Sequence, residues 1–444
     1  MAPRVRPIGE FVYEMGRPTI FGIIRDLGGQ GIDIVTKGAD PSGTTDSTEA
    51  INAALAEAVT FTPPKAIILP PGRFLTNGGH DLSGKDGLAI LGAGIGATTL
   101  VTTHATNDIF SYGGDDLADL HIGQFSVIAP TTTTRSAGWF FRGTTASPGG
   151  AYLVRCRFYD LDIKWQTNGI WIPQYEFVWC NRIFMSDFAG AGNGIGVKAG
   201  QTAVGAQNQG SEIYFTDCQV YGSAFLNPGG LSKLQYGFWI EDCQAIYVTQ
   251  SAAGGSVANN WRFVSNAAGA GIQNCFFDSL ISDATDTSHS TYITGTGQYN
   301  ALGWSNSWFS GAGRLHAGTG LGNGVRCDAA NVSGLSFSAC RLLLNRGTGM
   351  YLAPGAGGSL TLTGNIFGSN GEGGDANNKD SIFVNVGVGS IGAIMAGNLC
   401  GGVVGTGVSV RTPIGSTTDM VITGNRWASG VSYGAVPAVD ANNL

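Results

Sequence analysis

Charge is scarce in this sequence: only 12% of its 444 residues are Asp, Glu, Lys or Arg. The 24 Lys and Arg are scattered and the formal net charge is −7. That balance argues against a nucleic-acid groove, which needs grouped cations for phosphate. No apolar run reaches membrane-spanning length, so no membrane insertion is expected. The N-terminus lacks the basic-then-apolar layout of a signal peptide, which points to a chain made without one or already processed. Eight Cys and five His form no CxxC or Cys/His cluster, so zinc is not expected, nor is any other metal or cofactor. Strong helix formers are few beside 71 Gly, which accept the positive φ of tight corners. The chain is nonetheless no disordered Gly-rich linker, because nine Trp, 22 Phe and 43% hydrophobic residues supply a core.

What is present is a repeat. In Tyr214, Phe215, Thr216, Asp217, Cys218, Gln219, Val220 and Tyr221, apolar and polar residues alternate into a small residue and out again. The pattern returns around Cys156, Cys180, Cys243, Cys275 and Cys340, with Ser307 in the same frame and Asn in the place of Cys at Asn365, Asn398 and Asn425. Steps between successive members run from 24 to 38 residues. A period in that range with a period-2 core motif predicts an all-β solenoid, a parallel β-helix of about ten or more coils with loops of different length between rungs. Six of the eight Cys fall on the repeat position, which predicts a column of buried thiols. Rungs lie about 4.8 Å apart but stacked Cβ vectors run parallel, so free thiols are expected instead of disulfides.

Residues 1–30 lack the repeat and are a lead-in or attachment segment. Asp46 to Glu49 form an Asp-headed analogue of a capping box, and the helix predicted near 47–58 carries Ala50, Ile51, Ala54, Leu55 and Ala58 on one face. Placed ahead of the coils, it is suited to cap the apolar end of the first one. The repeat ends at Trp427, giving a β-helix domain over 31–430 and a C-terminal tail over 431–444. The run Gly38, Ala39, Asp40, then Asp46, Ser47 and Thr48 with Ala50, Ile51 and Ala54, then Leu69 to Gly72, then Leu91 to Gly94 resembles the N-terminal signature of the pectate-lyase-like right-handed parallel β-helix proteins. Within that superfamily the chain is most similar to bacteriophage tailspikes and polysaccharide depolymerases. The resemblance implies a right-handed coil, a homotrimer, a bacterial surface polysaccharide as partner, and a place on a virion tail or baseplate through residues 1–30, or secretion. The signature itself contains no catalytic residue.

Candidate chemistry comes from the residue before each repeat position. As one column these are Arg155, Trp179, Asp217, Asp242, Asn274 and Asn306, a polar and aromatic strip of the kind that holds sugar, although Asp and Asn also favour corners for purely local reasons. On that column Asp217 and Asp242 would be about 4.8 Å apart, close to the separation of a retaining glycosidase pair. Glu241 and Asp278 are reserve carboxylates. Trp239 and Trp261, with Trp171, Tyr175 and Trp304, are possible stacking surfaces, several of which must be core. Asp278, Asp283, Asp286 and His289 make an acidic loop without a calcium-loop spacing. Elimination would need a base beside cations; Arg262 and His289 are the residues available, and nothing in the sequence brings them together. Neighbouring carboxylates and the absence of a cation cluster favour a hydrolytic depolymerase. The alternatives are a non-catalytic receptor-binding tail protein and a polysaccharide lyase or epimerase.

Overall fold

Short runs of alternating apolar and polar residues, closed by turn formers, make strands too brief to stand alone, and stacking buries their apolar side. A computed structural model describes residues 31–441 apart from 105, 129–137, 144–150, 165–166, 187, 189–193, 202–209, 223–233, 267–270, 315–321, 354–357, 372–379, 385–390, 402–409, 413–417, 429–430 and 434–438. Residues 1–30, and most of the loops at 188–194, 201–209 and 368–380, therefore lie outside the described residues. The protein is a right-handed parallel β-helix. Each coil has three faces, shown in the middle of the stack by Gly210–Thr216, Gln219–Tyr221 and Leu234–Glu241. Every strand pairing is parallel, and among the described residues the first two faces form one sheet of 27 strands and the third a sheet of 13.

The first and second faces meet at a one-residue corner. Coil after coil it holds a residue with positive φ: Asp160, Arg182, Asp217, Gln250, Ser279, Asn306 and Ala339, then Gly364, Gly397 and Gly424. The residue after each corner turns inward, and there the column reads Cys218, Ser251, Leu280, Ser307, Cys340, Asn365, Asn398 and Asn425. The Asn side chains form a buried ladder, with Asn365 Nδ2 donating to Asn398 Oδ1 at 2.9 Å and Asn398 Nδ2 to Asn425 Oδ1 at 2.8 Å.

This register corrects the expected cysteine column. Only Cys218 and Cys340 among the cysteines share it. Cys156 and Cys275 follow a second positive-φ column at the entrance to the first face, after Arg155 and Asn274. Cys180 lies within a first-face strand, opposite Phe158 and Phe215, and Cys243 follows the third-face strand Leu234–Glu241. A small residue after a left-handed one is a corner signal, and each coil has more than one such corner. All eight cysteines are free and buried; burial pushes the Cys156, Cys218, Cys275 and Cys327 thiols up to about 12.

The interior is a stack of like on like. Phe277, Trp304 and Phe337 lie ring over ring at 5.0 and 4.6 Å. At the N-terminal end the helix Thr48–Ala58 closes the stack, with Ala50, Ile51, Ala54, Leu55 and Ala58 buried in the same core. Asp46 Oδ1 accepts from Thr48 N at 2.9 Å and Thr48 Oγ1 at 2.6 Å, so the acid caps the helix without a reciprocal Glu49 contact. Asp40 anchors the preceding turn by accepting from Ser42, Thr44 and Thr45, which holds its carboxyl far below the usual range. At the other end Val431–Tyr433 and Val439–Ala441 pair onto earlier strands, so the ladders continue past Trp427, where the sequence motif ends.

Candidate functional site

Outward residues decide what each face can bind, and parallel register stacks them in columns. The third face carries Arg142, Trp171, Lys198, Trp239, Arg262, Tyr292, Arg326, Tyr351 and Phe383 as consecutive partners on successive coils. From Arg142 to Tyr351, cation and ring alternate. Lys198 Nζ lies 4.7 Å from the Trp171 ring and 4.8 Å from that of Trp239, and Arg326 lies 4.7 Å from Tyr351. Such contacts contribute about 0.5–2 kcal/mol each, depending on exposure.

Three of the four cations also have a carboxylate. Arg142 reaches Asp108 at 3.5 Å, Lys198 reaches Glu241 at 2.8 Å and Arg326 reaches Asp328 at 2.6 Å. Arg262 is different. It sits over Tyr236, Trp239 and Tyr292 at 4.9, 5.3 and 5.8 Å, donates from Nη1 to Tyr236 Oη at 3.3 Å, and has no carboxylate partner among the described residues. Its Nε is buried without a partner. Tyr292 donates from Oη to Asp328 Oδ2 at 3.2 Å, and its ring meets His289 edge-on at 5.2 Å. Arg262 and His289 thus share one tyrosine. His289 Nδ1 accepts from Asn323 N at 3.1 Å, and burial together with the Arg326 charge pushes its pKa down to about 3. At neutral pH it is a neutral ring with its proton on Nε2.

The other expected residues are distributed as follows. Asp217 is on the corner between the first two faces, below Arg182 and above Gln250. Asp242 follows the third-face strand Leu234–Glu241, is fully buried and accepts from Asn266 N at 3.0 Å. The two therefore do not share a column, which removes the proposed neighbouring pair. Glu241 is on the third face with Lys198. Asp278 is on the first face, accepting from Ser305 Oγ at 2.6 Å, Asn306 Nδ2 at 2.9 Å and Ser279 Oγ at 3.0 Å, bonds that hold its carboxyl below the usual range. Arg155 and Asn274 are exposed on the entrance column, Arg155 binding Asp119 through Nε at 2.9 Å and Nη2 at 2.8 Å. Trp179 and Trp239 face outward, on the first and third faces. Trp261 is core, stacked on Phe238 at 4.0 Å, because it is one residue out of phase with outward Arg262.

The third-face column was legible only as apolar triplets with a cation or ring between, such as Phe141, Arg142, Gly143; Ile170, Trp171, Ile172; and Val197, Lys198, Ala199. Coils of unequal length hide their alignment. Among the described residues no group of three or more His, Cys, Asp or Glu could hold a metal ion, and no helix is long and apolar enough to cross a membrane.

Comparison with solved structures bears on the fold. The Azotobacter vinelandii mannuronan C-5 epimerase AlgE4 A-module is similar over 93% of this chain and 97% of its own, at 12% identity and a TM-score of 0.56. PfbA, a surface adhesin of Streptococcus pneumoniae, matches over 86% and 92% at 9% identity and a TM-score of 0.56. The Agl-KA catalytic domain matches over 94% and 68% at 11% identity and a TM-score of 0.52. No curated protein sequence matches the chain. Residues 31–137 match the family model described as rhamnogalacturonase A/epimerase, pectate lyase-like. The chain thus carries the pectate-lyase-like signature at its N-terminal end and, over its described length, the right-handed parallel β-helix fold that goes with it.

Proposed function

We propose that this protein binds a carboxylate-bearing bacterial surface polysaccharide along its third face and cleaves it there, as a tailspike-type depolymerase. The observation that carries the reading is Arg262, a cation held among three rings with no carboxylate of its own. A uronate carboxylate paired with Arg262 would have its charge neutralised, which acidifies the proton on the adjacent ring carbon. Tyr292 is the group beside Arg262 suited to take that proton, its own hydroxyl proton passing to Asp328 Oδ2 as it does so. The electron pair left behind forms the new carbon–carbon double bond as the glycosidic carbon–oxygen bond breaks, and the departing oxygen takes up a proton from water. The aligned cations and the separation of Asp217 from Asp242 turn the preference from hydrolysis to elimination.

Hydrolysis stays as the second reading because Asp217 and Asp278 flank the same edge two coils apart, roughly 10 Å along the axis, near the separation of an inverting pair. Both readings are separated by incubating the protein with a panel of acidic capsular polysaccharides, following chain length and the ultraviolet absorbance of unsaturated ends. Elimination predicts shortening with that absorbance, a loss on the order of a hundredfold or more in Arg262→Ala, and partial rescue in Arg262→Lys. Shortening without the absorbance, abolished in Asp217→Asn or Asp278→Asn and retained in Arg262→Ala, would establish hydrolysis. Binding without shortening would make the protein a receptor-binding one.

A further inference from the structure

The first face carries a second outward column, of different chemistry. Arg157, Trp179, Tyr214, Tyr247 and Phe276 are consecutive partners, and the next two are Gly303 and Ser336. The rings lie nearly parallel: Trp179 to Tyr214 is 6.1 Å at 8°, Tyr214 to Tyr247 4.9 Å at 14°, and Tyr247 to Phe276 6.0 Å at 19°. The stack stops at Gly303, where no side chain continues it, and Phe276 is left 50% exposed.

The missing rung is a depression of about 250 Å³, whose lining includes Phe276, Asp278, Gly303, Ser305, Ser336 and Ser338. Phe276 and Ser336 are two coils apart, roughly 10 Å, which leaves room for one ring at stacking distance from each. Phe276 and Tyr247, with Val248, Phe277 and Trp304, make its apolar side, while the polar side is hydroxyls and one carboxylate. Asp278 is fixed by its three donors: Oδ1 takes Ser305 and Asn306 and Oδ2 takes Ser279, so one lone pair of Oδ2 stays open to a further donor.

We infer that this gap is a binding slot for one neutral pyranose ring of a glycan, stacked on Phe276 through its C–H face and donating a hydroxyl to Asp278. An apolar face with hydroxyls around its edge is the shape of a pyranose, and a fixed carboxylate with hydroxyl neighbours disfavours an anionic ring. The slot does not depend on the third-face reading, being on a different face with no cation among the residues that line it.

The test is saturation-transfer NMR on the full chain with cellohexaose, maltohexaose and a galactan hexamer, together with sedimentation. Gly303→Trp would fill the gap: its Cβ would stand 3.0 Å from Ser336 Oγ and 3.4 Å from Phe276 Cδ1, a contact relieved by a small rotation of the serine. Phe276→Ala removes the stacking ring at an exposed position, so it leaves the core intact. The slot predicts binding of at least one hexamer, about tenfold weaker in either variant, weaker again in Asp278→Asn, and unchanged in Arg262→Ala. No binding by any hexamer, binding unaltered by Gly303→Trp and Phe276→Ala, or a change in sedimentation alone, which would mean that a second copy of the chain covers the gap, overturns it.

Discussion

Asn398 shows how much one residue can hold in this fold. Its Nδ2 donates to Leu362 O and Asn425 Oδ1, and its Oδ1 accepts from the backbone and side-chain nitrogens of Asn365. All of this is buried. Replacing it by Ala orphans donors on one side and acceptors on the other, so Asn398→Ala is expected to lower stability by about 2–4 kcal/mol in denaturant unfolding. An unchanged midpoint would show that water replaces the amide. At this scale the sequence was partly legible. Asn365, Asn398 and Asn425, each preceded by Gly, announced their own column. Trp261 and Arg262 did not reveal which of them faced out, because their strand is entered through segments whose length sets the phase.

Among the elements, the capping helix and the first third-face strand, His80–Asp81, are tied through one imidazole. His80 Nδ1 bonds Asn52 Oδ1 at 2.7 Å and Nε2 bonds Thr76 Oγ1 at 2.8 Å, a neutral arrangement in which Nδ1 donates and Nε2 accepts. Burial pushes its pKa down from 6.5 to about 4, against a smaller opposing pull from Asp46. Below 6.5 the unfolded chain takes up a proton that the folded one refuses. Stability contributed by His80 is therefore full above that pH and declines as pH falls towards 4, by an amount on the order of 3 kcal/mol. His121 and His289, also pushed down, act in the same direction. Thermal melts between pH 7.5 and 4.5 are expected to show the loss, with a shallower slope in His80→Gln; equal slopes would place the acid sensitivity elsewhere. The helix was readable from Asp46 onward because helical period and cap are local. His80 was not, since its partners Asn52 and Thr76 meet it only through the fold.

For the whole molecule, the eight thiols report on intactness. Every one is buried and those resolved are raised by burial, so the native protein is expected to react with a thiol reagent only as fast as it unfolds, and to yield all eight thiols in denaturant. Fast reaction of any thiol under native conditions would show that a coil opens locally. Solenoid architecture and the cap were legible from repeat spacing and the local helix pattern, and the hand of the coil from the N-terminal signature. The columns were not, because a column is a sum over coils, and steps of 24 to 38 residues blur which residues lie above one another.

The alternation on the third face bears on how a long chain could travel over it. Moving a bound polymer by one coil would bring each of its carboxylates from a guanidinium or ammonium onto a ring, and moving it by two coils would restore the original match. Sliding of such a polymer would therefore be stepped instead of smooth, with mismatched and matched positions alternating coil by coil. Because Arg142, Lys198 and Arg326 have carboxylates of their own, a ligand charge would rest most firmly on Arg262, and charges recurring every second coil would add only weaker contacts at the other three.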